Sequence, residues 1–92
     1  MLRFDWDPEK AASNEAKHGV AFPEAATAFG DPLSLTVPDP AHSAGEARFV
    51  HIGLTYLGRL VVVAHVESDD SIRIISARSA TRAERRFYEQ ES

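Results

Sequence analysis

The 92-residue chain predicts an α+β fold in a single domain spanning 1–92, and three features of the sequence carry that expectation. Two Ala-rich helix patterns with recognisable ends lie near the N-terminus. Strand-like runs then follow in quick succession from Ala47 to Ala77, with gaps too short for crossover helices. A capped helix closes the chain. Strands linked by tight turns pair antiparallel, so the order β-α-α-β-β-β-β-α describes an antiparallel sheet meander packed by two N-terminal helices and a C-terminal helix.

Each element has a local cause. Phe4 and Trp6 flank Asp5 in a period-2 pattern, a first strand that contributes both aromatics to the core. Asp7-Pro8-Glu9 starts a helix: Asp7 accepts from open backbone N–H groups, Pro8 suits the first helical position, and Glu9 faces the positive end of the dipole. Gly19 ends it, with Lys17 and His18 in the last turn. Pro23-Glu24 opens a shorter helix that places Phe22, Ala25, Ala26 and Phe29 on one face, and Gly30-Asp31-Pro32 ends it. Leu33–Val37 reads as a strand and Pro38 to Gly45 as a loop. Ala47–Leu57, Leu60–Glu67 and Ser71–Ala77 are the further strands, and Thr81-x-x-Glu84 is a capping box opening a helix to about Gln90.

Two-residue turns at Gly58-Arg59 and Asp69-Asp70 fix an expected register. One face then carries Val50–Glu67–Ile72, Ile52–His65–Ile74 and Leu54–Val63–Ser76, and receives the helices, with His65 a satisfied core histidine. The other carries His51–Val66–Arg73, Gly53–Ala64–Ile75 and Thr55–Val62–Ala77, a shallow basin with Gly53 opposite Ala64.

Composition excludes several classes. Hydrophobic residues make up 43% and charged residues 26%, an ordinary balance for a globular domain and not for a disordered one. The longest apolar run, Leu60 to Ala64, is far short of a membrane span, and the charged N-terminus is no secretory signal, so no membrane is expected and a cytoplasmic location is. With no cysteine there is no thiol nucleophile or Cys-based zinc site. The four histidines lack close ligand spacing and no Gly-rich phosphate loop is present, so neither a metal nor any other cofactor is predicted.

The net charge of −4 hides an asymmetry. The deficit belongs wholly to residues 1–45. Ser71–Tyr88 holds five arginines against the single acid Glu84. Guanidinium groups grip phosphate oxygens in pairs of hydrogen bonds and stay charged near neutrality. Arg73 lies in an apolar strand, Arg78 at its end, and Arg82, Arg85 and Arg86 on the capped helix, where they are candidates for RNA binding. A second cluster, His42-Ser43-Ala44-Gly45-Glu46-Ala47-Arg48, offers an imidazole, a carboxylate and a guanidinium within seven residues. Imidazole moves protons at neutral pH. Tyr88 lies four residues after Glu84 on the same helix stripe.

Phe4-Asp5-Trp6-Asp7-Pro8-Glu9-Lys10, Asn14, Lys17-His18-Gly19-Val20 and Phe22-x-Glu24-Ala25 resemble the opening of the BrnT family. His42-Ser43-x-x-Glu46-x-Arg48, Ile52-Gly53, Gly58-Arg59-Leu60, Ile72-Arg73-Ile74-Ile75-Ser76-Ala77-Arg78 and Glu84-Arg85-x-x-Tyr88-Glu89 are similar to the rest of it, so the resemblance runs from about Phe4 to Glu89. It implies a RelE-like fold and the toxin half of a bacterial type II toxin–antitoxin pair, an endoribonuclease that cuts RNA to arrest growth. It also implies a small BrnA-like antitoxin with a ribbon-helix-helix portion, which neutralises the toxin in a hetero-oligomer and brings the complex to operator DNA.

The family's polar motif positions fall on His42, Glu46, Arg48, Arg73, Arg78 and Tyr88. The expected mechanism is metal-independent: a ribose 2′-hydroxyl attacks the adjacent phosphate. Arg73 and Arg78, helped by Arg48, hold the phosphate; His42 or Glu46 takes the proton; Tyr88 orients the phosphate or protonates the leaving oxygen. The alternative is a non-catalytic protein-binding module acting as co-repressor subunit with a DNA-binding partner. The acidic second hairpin, Glu67-Ser68-Asp69-Asp70, is a departure that weakens the expected RNA affinity.

Overall fold

Helix α1 (Pro8–His18) is bounded by side chains suited to its ends. The Asp7 carboxylate accepts from the Glu9 N–H at 3.0 Å, and Gly19, at φ 72°, returns its N–H to the Glu15 carbonyl. The structure, a computed structural model, describes residues 2–91. The strands are β1 (Arg3–Asp5), β2 (Leu35–Pro38), β3 (Arg48–Leu54), β4 (Leu60–Glu67) and β5 (Ser71–Ser79). The other helices are α2 (Phe22–Thr27) and α3 (Arg82–Glu91), with short 3-10 turns over Ala28–Gly30 and Pro40–His42. At α3 the capping box is formed in both directions: Thr81 N–H donates to Glu84 Oε1 and Glu84 N–H to Thr81 Oγ1.

One five-stranded sheet runs in the order β1-β5-β4-β3-β2. It is not wholly antiparallel, which corrects the expected meander: β1 pairs parallel with β5, Arg3 opposite Ser71 and Asp5 opposite Arg73. No tight turn joins these two strands. The intervening chain leaves their relative direction free, so the hairpin argument did not apply to β1.

Because β1 reaches only Arg73, the edge of β5 beyond it has no strand neighbour. Asn14 closes that edge from α1. Its amide oxygen accepts from the Ala77 N–H at 3.1 Å, and its amide nitrogen donates to the Ala77 carbonyl at 2.8 Å and the Val20 carbonyl at 3.0 Å. All three bonds are buried, so Asn14→Ala orphans one donor and two acceptors. The expected loss is about 3 kcal/mol of stability, read as a lower denaturation midpoint at unchanged slope.

The β3–β4 hairpin departs from its predicted register. Leu54 pairs with Leu60, and Thr55 to Arg59 form a five-residue loop with Gly58 at φ 77°. The cause lies in Glu24 of α2, whose side chain is buried. Its carboxylate accepts from Thr55 Oγ1 at 2.8 Å and from both Nε and Nη2 of Arg59. Arg59 also donates to the Gly19 carbonyl. Drawing Thr55 and Arg59 onto one carboxylate slips the pairing by three residues relative to the two-residue turn. An odd slip reverses the faces of β3. His51 and Gly53 therefore turn toward α2, while Val50 and Ile52 turn away. A Cβ on Gly53 would stand 2.6 Å from the Ala28 carbonyl oxygen, so the position requires glycine.

In the second hairpin the pairs Glu67–Ile72 and His65–Ile74 are as expected, but a bulge follows and Ala64 pairs with Ser76. A bulge adds one residue and shifts the alternation, which moves Ala77 into the core and leaves Ile75 and Ser76 together outside it.

The main core lies between the sheet and α1–α2: Val20, Phe22, Ala25, Ala28, Val61, Val63, Ile72, Ile74 and Ala77, with Phe4 and Trp6 packed against it. His51 and His65 belong to this side. Phe29 stacks on the His51 ring at 4.0 Å between centroids and meets His65 edge-on at 5.0 Å. Both rings are partnered, His51 by Thr36 and the Ala28 carbonyl, His65 by Glu67. Burial holds the His51 pKa below the ordinary value for histidine. On the opposite face Ile52, Leu60, Val62 and Tyr88 form a smaller cluster under α3. No helix among the described residues is long and apolar enough to cross a membrane.

Candidate functional site

The face turned away from α1 and α2 carries a polar groove in two lobes, the outer of which reaches round the β5 edge to the start of α1. The inner lobe, a cavity of about 340 Å³, has Val50, Val62, Ala64 and Ser76 on its floor and Asp39, His42, Arg48, Arg78 and Glu84 around its rim. The outer lobe, about 360 Å³, is lined by Asp7, Lys10, Glu46, Arg48, Arg73, Ile74 and Ile75. Arg48 belongs to both. The slip in β3 puts small aliphatics on this floor, so the basin exists with different residues from those the two-residue turn predicts: Val50 and Ser76 in place of Gly53 and Ala77.

The rim is built by the β2–β3 connection. After β2, the 3-10 turn over Pro40–His42 places His42 three residues beyond Asp39, and His42 Nδ1 lies 3.0 Å from Asp39 Oδ2. An ionised carboxylate can only accept, so Nδ1–H is the donor in this pair, and in the neutral form of the ring Nε2 is then the proton acceptor. The loop is tied at its base. Ser43 Oγ donates to the Asp39 carbonyl at 2.6 Å, the Arg48 N–H donates to Ser43 Oγ at 3.0 Å, and the Asp39 N–H donates to the Arg48 carbonyl at 2.9 Å. Asp39 and Arg48 are thereby fixed to each other through the backbone, and His42 is held on Asp39.

The cations differ in how far they are neutralised. Arg78 makes a bidentate pair with Glu84, at 2.7 and 2.8 Å, and a further bond to the Ser79 carbonyl. Arg73 donates to Glu46 at 2.6 Å in a pair that is about half exposed. The Arg48 guanidinium has no hydrogen-bond or ion-pair partner among the described residues. Of the six expected catalytic residues, the groove brings together His42, Glu46, Arg48, Arg73 and Arg78.

Tyr88 lies apart from both lobes. It is buried, and its hydroxyl donates to Asp31 Oδ2 at 2.6 Å. Burial and the neighbouring Asp31 carboxylate push its pKa up to about 12. Asp31 also receives the N–H groups of Leu33 and Leu54, so the phenol is one leg of a structural knot between α3 and the end of α2. Tyr88→Phe should lower stability by about 2 kcal/mol, a hydrogen bond to a charged group. Melting curves of the two proteins compared at one pH check this. Arg82, Arg85 and Arg86 are exposed on α3 and line neither lobe.

The Arg78–Glu84 pair has a pH signature. The Arg78 guanidinium, aided by the Thr81 N–H, holds the Glu84 pKa down to about 2, from an ordinary 4.5. A depressed carboxylate contributes stability that is fully present above its unfolded value and lost as pH falls through the folded one. Between pH 4.5 and 2, Glu84→Gln should therefore lose less stability than the wild type, as melting temperatures across that window will show.

Asp39 escaped the sequence analysis, although it stands three residues before His42, a spacing that pairs side chains on a helical turn. Glu84 was legible only as a cap. That it also clamps Arg78 depends on the strand-to-helix corner, which sequence separation does not show. Among the described residues no group of three or more His, Asp or Glu side chains is placed to hold a metal ion.

Fold and groove together define a small α+β protein with a histidine–carboxylate pair and several arginines over one sheet face, the equipment of an acid–base site for an anionic substrate. Comparison makes the class specific. The family described as "Ribonuclease toxin, BrnT, of type II toxin-antitoxin system" matches residues 6–84, and the chain belongs to that family. The crystal structure of the Brucella abortus ribonuclease toxin BrnT superposes with a TM-score of 0.69 at 22% identity, over 89% of this chain and 100% of that one. At that identity the likeness establishes the fold. No curated protein matches the chain.

Proposed function

We propose that the chain is a metal-independent endoribonuclease, the RelE-like toxin of a type II pair, and that the groove around Arg48 is its active site. The observation that supports this most directly is the arrangement of the rim: an Asp39–His42 pair on the same lobe as Arg48, a guanidinium with no ion-pair partner among the described residues. RNA carries its own nucleophile, so a base and a phosphate anchor suffice. His42 Nε2 removes the proton from a ribose 2′-hydroxyl, and that oxygen attacks the adjacent phosphorus. The bond to the 5′-oxygen breaks, giving a 2′,3′-cyclic phosphate and a 5′-hydroxyl, and the open groove supplies the leaving oxygen's proton from water. Asp39 orients the imidazole and stabilises the imidazolium that forms. Arg48 carries the phosphoryl charge that grows in the transition state. Arg78 and Arg73 act through donors left over from their pairs with Glu84 and Glu46. Glu46 is thereby an ion-pair partner more than a base.

The toxin acts in the cytoplasm and is neutralised by a small BrnA-like ribbon-helix-helix antitoxin, and the resulting hetero-oligomer binds the operator DNA. Expression should arrest growth unless the neighbouring small gene is co-expressed. Purified chain should cleave RNA in EDTA; loss of cleavage there overturns metal independence. One observation favours a second possibility, a non-catalytic co-repressor subunit: Arg73 and Arg78 are both already matched by carboxylates. That alternative requires that expression be harmless and RNA remain intact.

A further inference from the structure

The groove does not end at Arg73. A third depression of about 230 Å³ continues it around the free edge of β5, lined by Lys10, Ser13, Asn14, Lys17 and His18 of α1 and by Ile75 and Ser76. It shares Lys10 and Ile75 with the outer lobe and Ser76 with the inner one, so the three form one track. The bulge in β5 is what joins them, because it leaves Ile75 and Ser76 successively on the groove side.

Charge distinguishes this arm from the lobes. No carboxylate lines it, whereas Asp7 and Glu46 line the outer lobe and Asp39 and Glu84 the inner. Lys10 and Lys17 have no ion-pair partner among the described residues. They fall on one stripe of α1 with Asn14, at spacings of four and three residues. Asn14 is bonded to Ala77 on both its amide atoms, which fixes the rotation of α1 and sets the two lysines along the edge of β5. Seven residues of helix separate their Cα atoms by about 10 Å, room for each ammonium to meet a phosphate of its own.

We infer that this arm binds the phosphodiester backbone of single-stranded RNA beside the scissile phosphate, with Lys10 and Lys17 each meeting a separate flanking phosphate. The inference rests on the ribonuclease reading of the groove. An ammonium is a point charge on a flexible stem and does not demand a fixed phosphate geometry, so the contact is independent of sequence. It supplies affinity that the neutralised Arg73 and Arg78 do not, in a chain of net charge −4.

The test uses His42→Ala protein, in which the mechanism above slows cleavage enough to measure binding first, and the same protein carrying Lys10→Gln and Lys17→Gln. Binding of a fluorescent single strand of about 20 nucleotides is followed by anisotropy over a salt series. Two lost phosphate contacts should flatten the slope of log affinity against log salt by about 1.4, with affinity down ~10-fold at low salt. Unchanged affinity and slope overturn the inference. In the active background, Lys17→Gln, at the lysine that lines neither lobe, should raise KM for the long strand and leave turnover of a dinucleotide unaffected. Equal losses on both substrates also overturn it, because Lys17 would then act at the scissile phosphate. Should the active protein cleave neither substrate, the ribonuclease reading fails, and the anisotropy series still decides the arm.

Discussion

His42→Ala lowers RNA cleavage ~100- to 10,000-fold, the range a positioned general base contributes. The expected defect lies in turnover, not in substrate affinity, because neutral imidazole adds little to binding a polyanion. Folding should be unaffected. The side chain is largely exposed, and among the described residues it bonds to Asp39, which keeps its other links to the loop. Asp39→Asn should give an intermediate loss: the amide still positions the ring but carries no charge to stabilise the imidazolium. If His42→Ala cleaves at the wild-type rate, the base lies elsewhere, with Glu46 next in line.

Arg48→Ala is the second large effect, ~100-fold or more in rate, the usual cost of removing one preorganised donor from a transition-state charge. Arg48 should matter more than Arg73 or Arg78. A guanidinium already bonded to a carboxylate offers a phosphate fewer donors and less net charge. The half-exposed Arg73–Glu46 pair is worth little to the fold and opens readily, so Arg73→Ala should cost activity modestly and stability hardly at all. Arg48→Lys retains the charge without the planar fork and should recover part of the loss. The check is a rank order of rates at one salt concentration, Arg48→Ala below Arg78→Ala below Arg73→Ala.

Much of the architecture was legible because its causes are local. Asp7 and Gly19 bound α1, Thr81 and Glu84 cap α3, and Leu60–Glu67 is a Val-rich apolar run bounded by turn residues. What escaped was set by contacts between distant residues. The slip in β3 follows from buried Glu24 gathering Thr55 and Arg59, which lie 31 and 35 positions away. The parallel placement of β1 and the closure of the β5 edge by Asn14 are likewise properties of the assembled sheet.

The site divides the same way. His42, Glu46 and Arg48 are close in sequence and remain close in space, and Arg73 and Arg78 join them because β5 borders the groove. Tyr88 matched a motif position and fitted a helix stripe, yet it faces Asp31, 57 residues earlier in the chain. The arginine count overstated the free positive charge, since ion pairing with Glu46 and Glu84 is visible only in three dimensions.

The most direct measurement is the chemistry of the ends left when purified chain is incubated with a defined RNA in EDTA. The account predicts 2′,3′-cyclic phosphate and 5′-hydroxyl termini from the wild type and almost none from His42→Ala. Intact RNA with folded wild-type protein, or products bearing 5′-phosphate, would contradict it.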